Sequence, residues 1–470
     1  MKELEYDIVA IGGGTAGLVT AAGAAYLGAH PALIEKEALG GDCLWTGCVP
    51  SKALLASARL AHAMSHADEL GLTGASPGHA FRDVMERMRA ARETVAHHDD
   101  PERFRKMGVG VHFGAARFVS RDTVEVEGVG RVRSKRFVLA TGAVPAIPPI
   151  EGLEEAGYLT HVTAFEENEL PGEIVILGGG PIGLEFSQIY ARLGARVSVV
   201  EMEEEILPAD DPDVAALLHE MLGEEGIRIC TGFRATKVEA IDGRKTVTSS
   251  DGRRLEGDEI FVAAGRRPLT EGLELERAGV ERDGGAVSVD RSLRSTAPTV
   301  WAAGDVTGGP QFTHVADYMA KTVLRNALFP FSSKVDYSAV PRVTYTDPEV
   351  AHVGIGHEEA EARGGRTYAY DLSDLDRAIV DGTDRGIVKV TADRKGRVLG
   401  ATILGHGAGD LLQPLVLAIQ HDLSLSDLSD TIFPYPTMVE GVKRAADAYQ
   451  RSRLEGLGGR ILRKVVSWLT

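Results

Sequence analysis

A chain of 470 residues, 44% hydrophobic and 25% charged, is too long for one ordinary domain and can bury sizeable cores, so two to four domains are expected. Its formal charge of −17 opposes nucleic acid and anionic membrane as bulk partners, and solubility accounts for that charge without any partner. Three cysteines in the whole sequence make no disulfide framework of a secreted protein. The start Met1-Lys2-Glu3-Leu4-Glu5 lacks signal-peptide character, and no apolar run reaches the roughly 20 residues of a membrane span. A cytoplasmic protein is the expectation.

In chain order, Asp7-Ile8-Val9-Ala10-Ile11 reads as a buried strand leading into Gly12-x-Gly14-x-x-Gly17. A helical pattern follows, then a second strand, Ala32-Leu33-Ile34, ending at Glu35 and Lys36. Glycines in this spacing permit a tight turn and close backbone approach, the helix N-terminus presents N–H groups to a pyrophosphate, and the acid suits a ribose. Next comes Gly40-Gly41-Asp42-Cys43-Leu44-Trp45-Thr46-Gly47-Cys48-Val49-Pro50-Ser51-Lys52, which holds two of the three cysteines. Thiols this close can switch between dithiol and disulfide, and the adjoining nucleotide unit offers a source of electrons. Pro50-Ser51-Lys52 is read as the opening of a helix whose N-terminus and cation would stabilise a thiolate. Gly47 loosens the segment enough for the two sulfurs to meet. A structural disulfide or two buried thiols is the blander reading.

Residues 53–110 read as largely helical, with Leu54, Leu55, Leu60, Met64, Met85 and Met88 available for packing, a loop from Gly71 to Gly78 and a helix start at Asp99-Asp100-Pro101. β-rich runs over 109–139 end in Phe137-Val138-Leu139-Ala140-Thr141-Gly142, and the prolines from Pro145 to Pro149 mark a boundary. Then the first pattern returns: Glu173-Ile174-Val175-Ile176-Leu177 leads into Gly178-x-Gly180-x-x-Gly183, and a second strand ends at Glu201. Each glycine of this set follows its counterpart at one constant offset, as does the acid. One such motif is weak evidence; two in matching context indicate two dinucleotide folds. Glu201 is followed by Glu203, Glu204 and Glu205, a setting that favours a free ribose 2′-hydroxyl, so NADH is expected over NADPH. Cys230 has no partner in sequence and reads as a buried, inert thiol.

Ile260-Phe261-Val262-Ala263-Ala264-Gly265-Arg266 closes the second unit, and Val300-Trp301-Ala302-Ala303-Gly304-Asp305 is a third strand-to-glycine turn ending in an acid. After Phe329-Pro330 the character changes. Residues 340–450 alternate β-branched strands with turns and amphipathic helices such as Asp410–His421, an α+β pattern with no nucleotide signal of its own. The expected fold class is α/β: two Rossmann-like dinucleotide-binding domains plus a C-terminal α+β domain.

Together these motifs resemble the class I pyridine nucleotide–disulfide oxidoreductases, the family of dihydrolipoamide dehydrogenase, glutathione reductase and mercuric reductase, over about residues 5–450. The resemblance implies an FAD domain in 1–149 that returns in 271–335, an NAD(P)H domain in 150–270, and a dimerisation domain in 336–470. It implies a homodimer with active sites between subunits. Gly12, Gly14, Gly17 and Glu35 would bind FAD, with Lys36, Gly41 and Asp42 on the same side. Thr141 and Gly142 would link the two folds, and Gly304 and Asp305 would meet the ribityl and phosphate region. Gly178, Gly180, Gly183 and Glu201 would hold NADH, with Gly265 and Arg266 in the connection beyond. Cys48 would be the thiol against the flavin and Cys43 the exchanging thiol, with Lys52 and Glu185 as the pair beside the flavin ring.

One position departs from the family. Thiol-disulfide members carry a histidine base before Pro-Thr, with a glutamate downstream; here the segment is Pro434-Tyr435-Pro436-Thr437, with Glu440 following. Tyrosine, with an ordinary pKa near 10, is a poor proton acceptor at neutral pH. His314 is either a substitute base or a structural histidine. The segment resembles mercuric reductase, where a soft metal ion needs thiolates more than a base, yet no cysteine follows Cys230. His97, His98 and the other histidines show no ligand spacing, so no metal site is expected.

The tail Gly458–Leu469 is basic and apolar at helical spacing, which suits packing on its own dimer or, less directly, a membrane surface. The expected activity is electron transfer from NADH through FAD and the Cys43–Cys48 disulfide to a small disulfide, metal ion or other oxidised acceptor. Mercuric reductase proper, a diaphorase or quinone reductase, and a non-catalytic redox-sensing flavoprotein are the alternatives.

Overall fold

A computed structural model describes residues 3–75, 78, 80–455 and 457–469; Met1, Lys2, part of the expected 71–78 loop, Gly456 and Thr470 lie outside them. The first nucleotide unit is a five-stranded parallel sheet in the order Val300–Ala302, Phe137–Leu139, Ile8–Ile11, Pro31–Glu35, Gly110–Phe113. Its strands are short and apolar on both sides, as a sheet covered on two faces requires; Ile8 through Ile11 are all buried. The helices Thr15–Tyr26 and Thr313–Leu328 pack so tightly that a Cβ on Gly23 would stand 2.4 Å from Leu324 Cδ1.

The second unit is a four-stranded parallel sheet in the order Arg228–Cys230, Arg196–Val200, Glu173–Leu177, Glu259–Val262. The strands Ala143–Pro145 and Arg266–Pro268 pair antiparallel between the two units, and Thr141 Oγ1 donates to Leu269 O at 2.6 Å beside them. The C-terminal unit is a five-stranded antiparallel sheet in the order Arg342–Thr344, Glu349–Gly354, Val398–Gly405, Ile387–Ala392, Arg366–Asp371, backed by the helix Glu440–Glu455. The α/β class with an α+β C-terminal unit is therefore what the chain adopts.

Several local expectations change. Leu54, Leu55, Met85 and Met88 are buried, but Leu60 and Met64 are exposed because Ala58 and Ala61 occupy the inner face of their helix. The expected helix Asp410–His421 is two pieces, Ala408–Leu411 and Gln413–Gln420. Pro414 lacks an N–H and is accommodated only in a first helical turn, so a new helix starts there. Cys230 is half-buried rather than buried.

Candidate active site

Both glycine turns open on one continuous cleft of about 2720 Å³, which also takes in Cys43, Cys48, Lys52 and Glu185. Single-ligand sites span roughly 300–1,000 Å³, so this cleft has room for more than one dinucleotide. The turns are shaped by their glycines. Gly12 has φ +110° and Gly178 φ +118°, and a Cβ at either would stand 2.2 or 2.4 Å from the carbonyl oxygen of Ala140 or Ala263. At Gly17 and Gly183 the following helix closes onto the turn, leaving 1.8 and 2.0 Å between a Cβ and the oxygens of Gly12 and Gly178. Gly14 and Gly180 are the N-cap residues of those helices.

The two acids are used alike. Glu35 accepts from the N–H groups of Gly13 and Glu37 at 2.6 and 2.9 Å. Glu201 accepts from those of Gly179 and Glu203 at 2.7 and 3.0 Å. Each carboxylate thus braces its turn while lining the cleft. Gly142, Gly265, Gly304 and Lys36 line it too, with Lys36 paired to Glu37 at 3.2 Å.

Gly41, at φ +59°, presses the dithiol segment against the first turn: a Cβ there would lie 2.6 Å from Gly14 Cα. Cys43 sits in the short helix Gly41–Trp45, whereas Cys48 is the first residue of the helix Cys48–Ser65, two residues earlier than the expected start. Both are free thiols. Cys48 Sγ lies 3.6 Å from Oγ1 of Thr313, itself the first residue of the helix Thr313–Leu328. Two helix N-termini therefore meet at one sulfur, and their positive ends favour a thiolate. A hydrogen bond from Cys43 pulls the Cys48 thiol below its ordinary value, with Thr313 and Lys52 assisting against burial. The same hydrogen bond, together with burial, pushes the Cys43 thiol up. These influences make Cys48 the more acidic thiol of the reduced pair.

Lys52, one turn along that helix, donates to Glu185 Oε2 at 2.8 Å. Glu185 comes from the second unit, in the helix Pro181–Arg192, and is buried; its Oε1 accepts from the Tyr345 N–H at 3.0 Å. The Tyr345 ring lies beneath the ammonium, 4.3 Å from Nζ. This pair thus joins both nucleotide units to the C-terminal sheet at one point of the cleft.

A second charged group meets the dithiol segment at Asp42. Arg266 spans two carboxylates, with Nη1 2.7 Å from Asp42 and Nη2 3.1 Å from Asp305. Burial works to raise the Asp42 carboxyl, but His161, Arg266 and Thr46 outweigh it and hold the group well below the carboxylate range. Burial dominates at Asp305, whose carboxyl is raised despite Arg266. His161 Nε2 reaches Asp42 only at 3.5 Å, and neither it nor Arg266 Nε has a hydrogen-bond partner although both are buried. Unsatisfied donors lining a glycine-walled cleft fit a phosphate-bearing cofactor such as FAD.

Other expected site residues are not brought here. His314 borders the cleft, but its Nε2 is engaged with Pro341 O at 2.9 Å and its ring stacks on Phe312; the neighbouring Thr313 makes the thiol contact instead. Tyr435 is 67% exposed and does not line this chain's cleft. Its hydroxyl donates to Asp376 at 2.9 Å, and that bond pushes the phenol pKa up. Glu440 is buried and lies 3.6 Å from Arg444. Among the described residues no group of three or more His, Cys, Asp or Glu side chains is placed to hold a metal ion.

Thr313, His161, Tyr345 and Asp376 escaped sequence reasoning. Thr313 had a signal, since it directly precedes the singled-out His314; the others had none.

Residues 6–320 match the family described as pyridine nucleotide-disulphide oxidoreductase, and residues 340–446 match its dimerisation domain. The chain belongs to this family. It is 35% identical to a mercuric reductase of Streptomyces lividans, covering 94% of this chain and 96% of that protein. It is 32% identical to a dihydrolipoyl dehydrogenase of Bacillus subtilis, covering 94% and 97%. Among solved structures, the Cu(II) complex of the HOCl-induced flavoprotein disulfide reductase RclA from Escherichia coli superposes with TM-score 0.86 at 28% identity, covering 95% of this chain and 99% of that one. The homologues indicate an FAD-dependent pyridine nucleotide-disulfide oxidoreductase, and the dimerisation domain supports a homodimer. No helix among the described residues is long and apolar enough to cross a membrane.

Proposed function

We propose that the protein takes electrons from NADH and delivers them through the Cys43–Cys48 pair to a thiophilic metal ion, in the cytoplasm and as a homodimer. FAD, when bound along the first turn, relays the electron pair between nicotinamide and disulfide. Gly12, Gly14 and Gly17 would accommodate its pyrophosphate, Glu35 its ribose, and Asp305 its ribityl chain. Glu201 and the three acids after it would favour NADH over NADPH. Lys52, fixed by Glu185, supplies a cation beside Cys48, and Thr313 supplies a hydroxyl to the thiolate.

The observation that carries this reading is the asymmetric thiol pair, with Cys48 set where two helix N-termini meet and Cys43 outside that junction, which makes Cys48 the more acidic of the two. The choice of acceptor rests on Tyr435. A tyrosine phenol is already protonated at neutral pH, and the hydrogen bond to Asp376 pushes its pKa further up, so it is no base for thiol-disulfide exchange. A soft metal ion instead displaces the Cys43 proton on binding and needs none. Oxidation of the two thiolates to the disulfide then releases two electrons and no further proton, enough to reduce one Hg(II) to Hg(0) or two Cu(II) to Cu(I). Kinship with a mercuric reductase and with a Cu(II)-binding reductase supports this class of acceptor.

The test is Cys43→Ser, with Cu(II), Hg(II), lipoamide and a benzoquinone offered as acceptors. Metal-ion turnover should fall about a hundredfold or more while NADH still bleaches the flavin. Unchanged turnover would instead make the protein a diaphorase, and no reduction of any acceptor by the unaltered protein would leave a redox sensor.

A further inference from the structure

We propose that the C-terminal helix Leu457–Leu469 docks on the surface of an anionic phospholipid bilayer. The helix lies beyond residues 340–446 that match the dimerisation domain. Residues 463–469 are all exposed, Trp468 at 84% and Leu469 at 71%.

At 3.6 residues per turn, Val465, Trp468 and Leu469 share one arc of about 100°, Val466 lies about 60° beyond it, and Arg463, Lys464 and Ser467 share a second arc centred about 140° from the first. Residues 457–470 carry three basic side chains and no acidic one, in a chain whose formal charge is −17.

A bilayer interface takes both arcs at once: the apolar side lies beneath the headgroups, tryptophan sits at their level, and the cations meet the phosphates. The 13-residue helix is too short to span a bilayer. Repulsion from the more distant parts of the acidic body is screened beyond roughly 8 Å at physiological salt. Two such helices on a dimer would bind together more firmly than one. None of this depends on the choice of electron acceptor.

The measurement is sedimentation of the full-length protein with vesicles of phosphatidylcholine alone and of equimolar phosphatidylcholine and phosphatidylglycerol, at low and high salt. Binding is expected to the mixed vesicles only, weakened by salt, with a blue shift in tryptophan emission that Trp468→Phe abolishes. Replacing Arg463 and Lys464 by glutamine should weaken partitioning about thirtyfold while leaving flavin reduction by NADH unchanged. Failure to bind mixed vesicles, or equal binding by the glutamine variant, overturns the proposal. So does a Trp468→Glu variant that loses dimer mass in solution, because the helix would then be seated on a second copy of the chain.

Discussion

In the first nucleotide unit the Gly12 N–H reaches Ile34 O at 2.8 Å, and in the second the Gly178 N–H reaches Val200 O at 2.8 Å. The neighbouring strands return the same bonds, from Ala140 to Ile11 and from Ala263 to Leu177, both at 2.8 Å. What differs is the chain that follows the second strand. In the first unit, Gly41 packs against Gly14 and carries the dithiol segment across the mouth of the turn; in the second, the space in front of Gly180 is open. The second unit instead runs on through its row of glutamates to the helix Pro212–Glu224. The repeated motif therefore sets a binding surface, and the insertion beside one copy sets the chemistry. The same kind of turn is covered by the dithiol segment in one unit and left open in the other.

Paired glycine substitutions should break the two units independently. Gly12→Ala drives a Cβ into Ala140 O and should cost at least about 3 kcal/mol at that turn, leaving protein purified without flavin. Gly178→Ala should retain flavin, read from its absorbance, yet lose reduction by NADH; if either variant lost both, the units would not be separable. Smaller but still large is the effect of Arg266→Ala. Removing the guanidinium shared by Asp42 and Asp305 leaves two partly buried carboxylates facing one another, a loss of about 3 kcal/mol. Thermal unfolding should show it as a lower Tm, partly rescued at acid pH where those carboxylates are protonated. A Tm that did not respond to pH would mean that Arg266 acts only through packing.

The finest of these distinctions concerns Cys48, which has no counterpart beside the second turn. Thr313→Val removes the hydroxyl beside Cys48, which destabilises the thiolate and moves its titration to higher pH. A shift of about one pKa unit corresponds to one charge-assisted hydrogen bond. Iodoacetamide alkylation of the reduced protein against pH measures it. Below the shifted midpoint the valine variant should react more slowly than the native protein, above it equally fast, and Thr313→Ser should restore the native curve. A valine curve superimposed on the native one would remove Thr313 from the site.

The fold class was legible because the signals are local: a buried apolar strand, three glycines at fixed spacing and an acid at the next strand end all lie within one short stretch. The thiol pair was legible for the same reason. Pairings such as Lys52 with Glu185 came only through the family's pattern, since nothing in the intervening sequence announces a contact between one helix and another so far along the chain. Pro414 was a local signal passed over, and it divides a helix that the apolar periodicity alone would carry through.

Read alone, the amino-acid order determines that this protein has two dinucleotide turns and a dithiol beside the first of them. Each depends on backbone conformations and spacings that a few consecutive residues impose. Only the tertiary structure decided that Thr313 faces Cys48, that Arg266 ties Asp42 to Asp305, and that Tyr435 donates its hydroxyl to Asp376. Those contacts join residues from separate sheets and helices, and the charge borne by each sulfur and oxygen depends on which groups packing brings within a few ångströms.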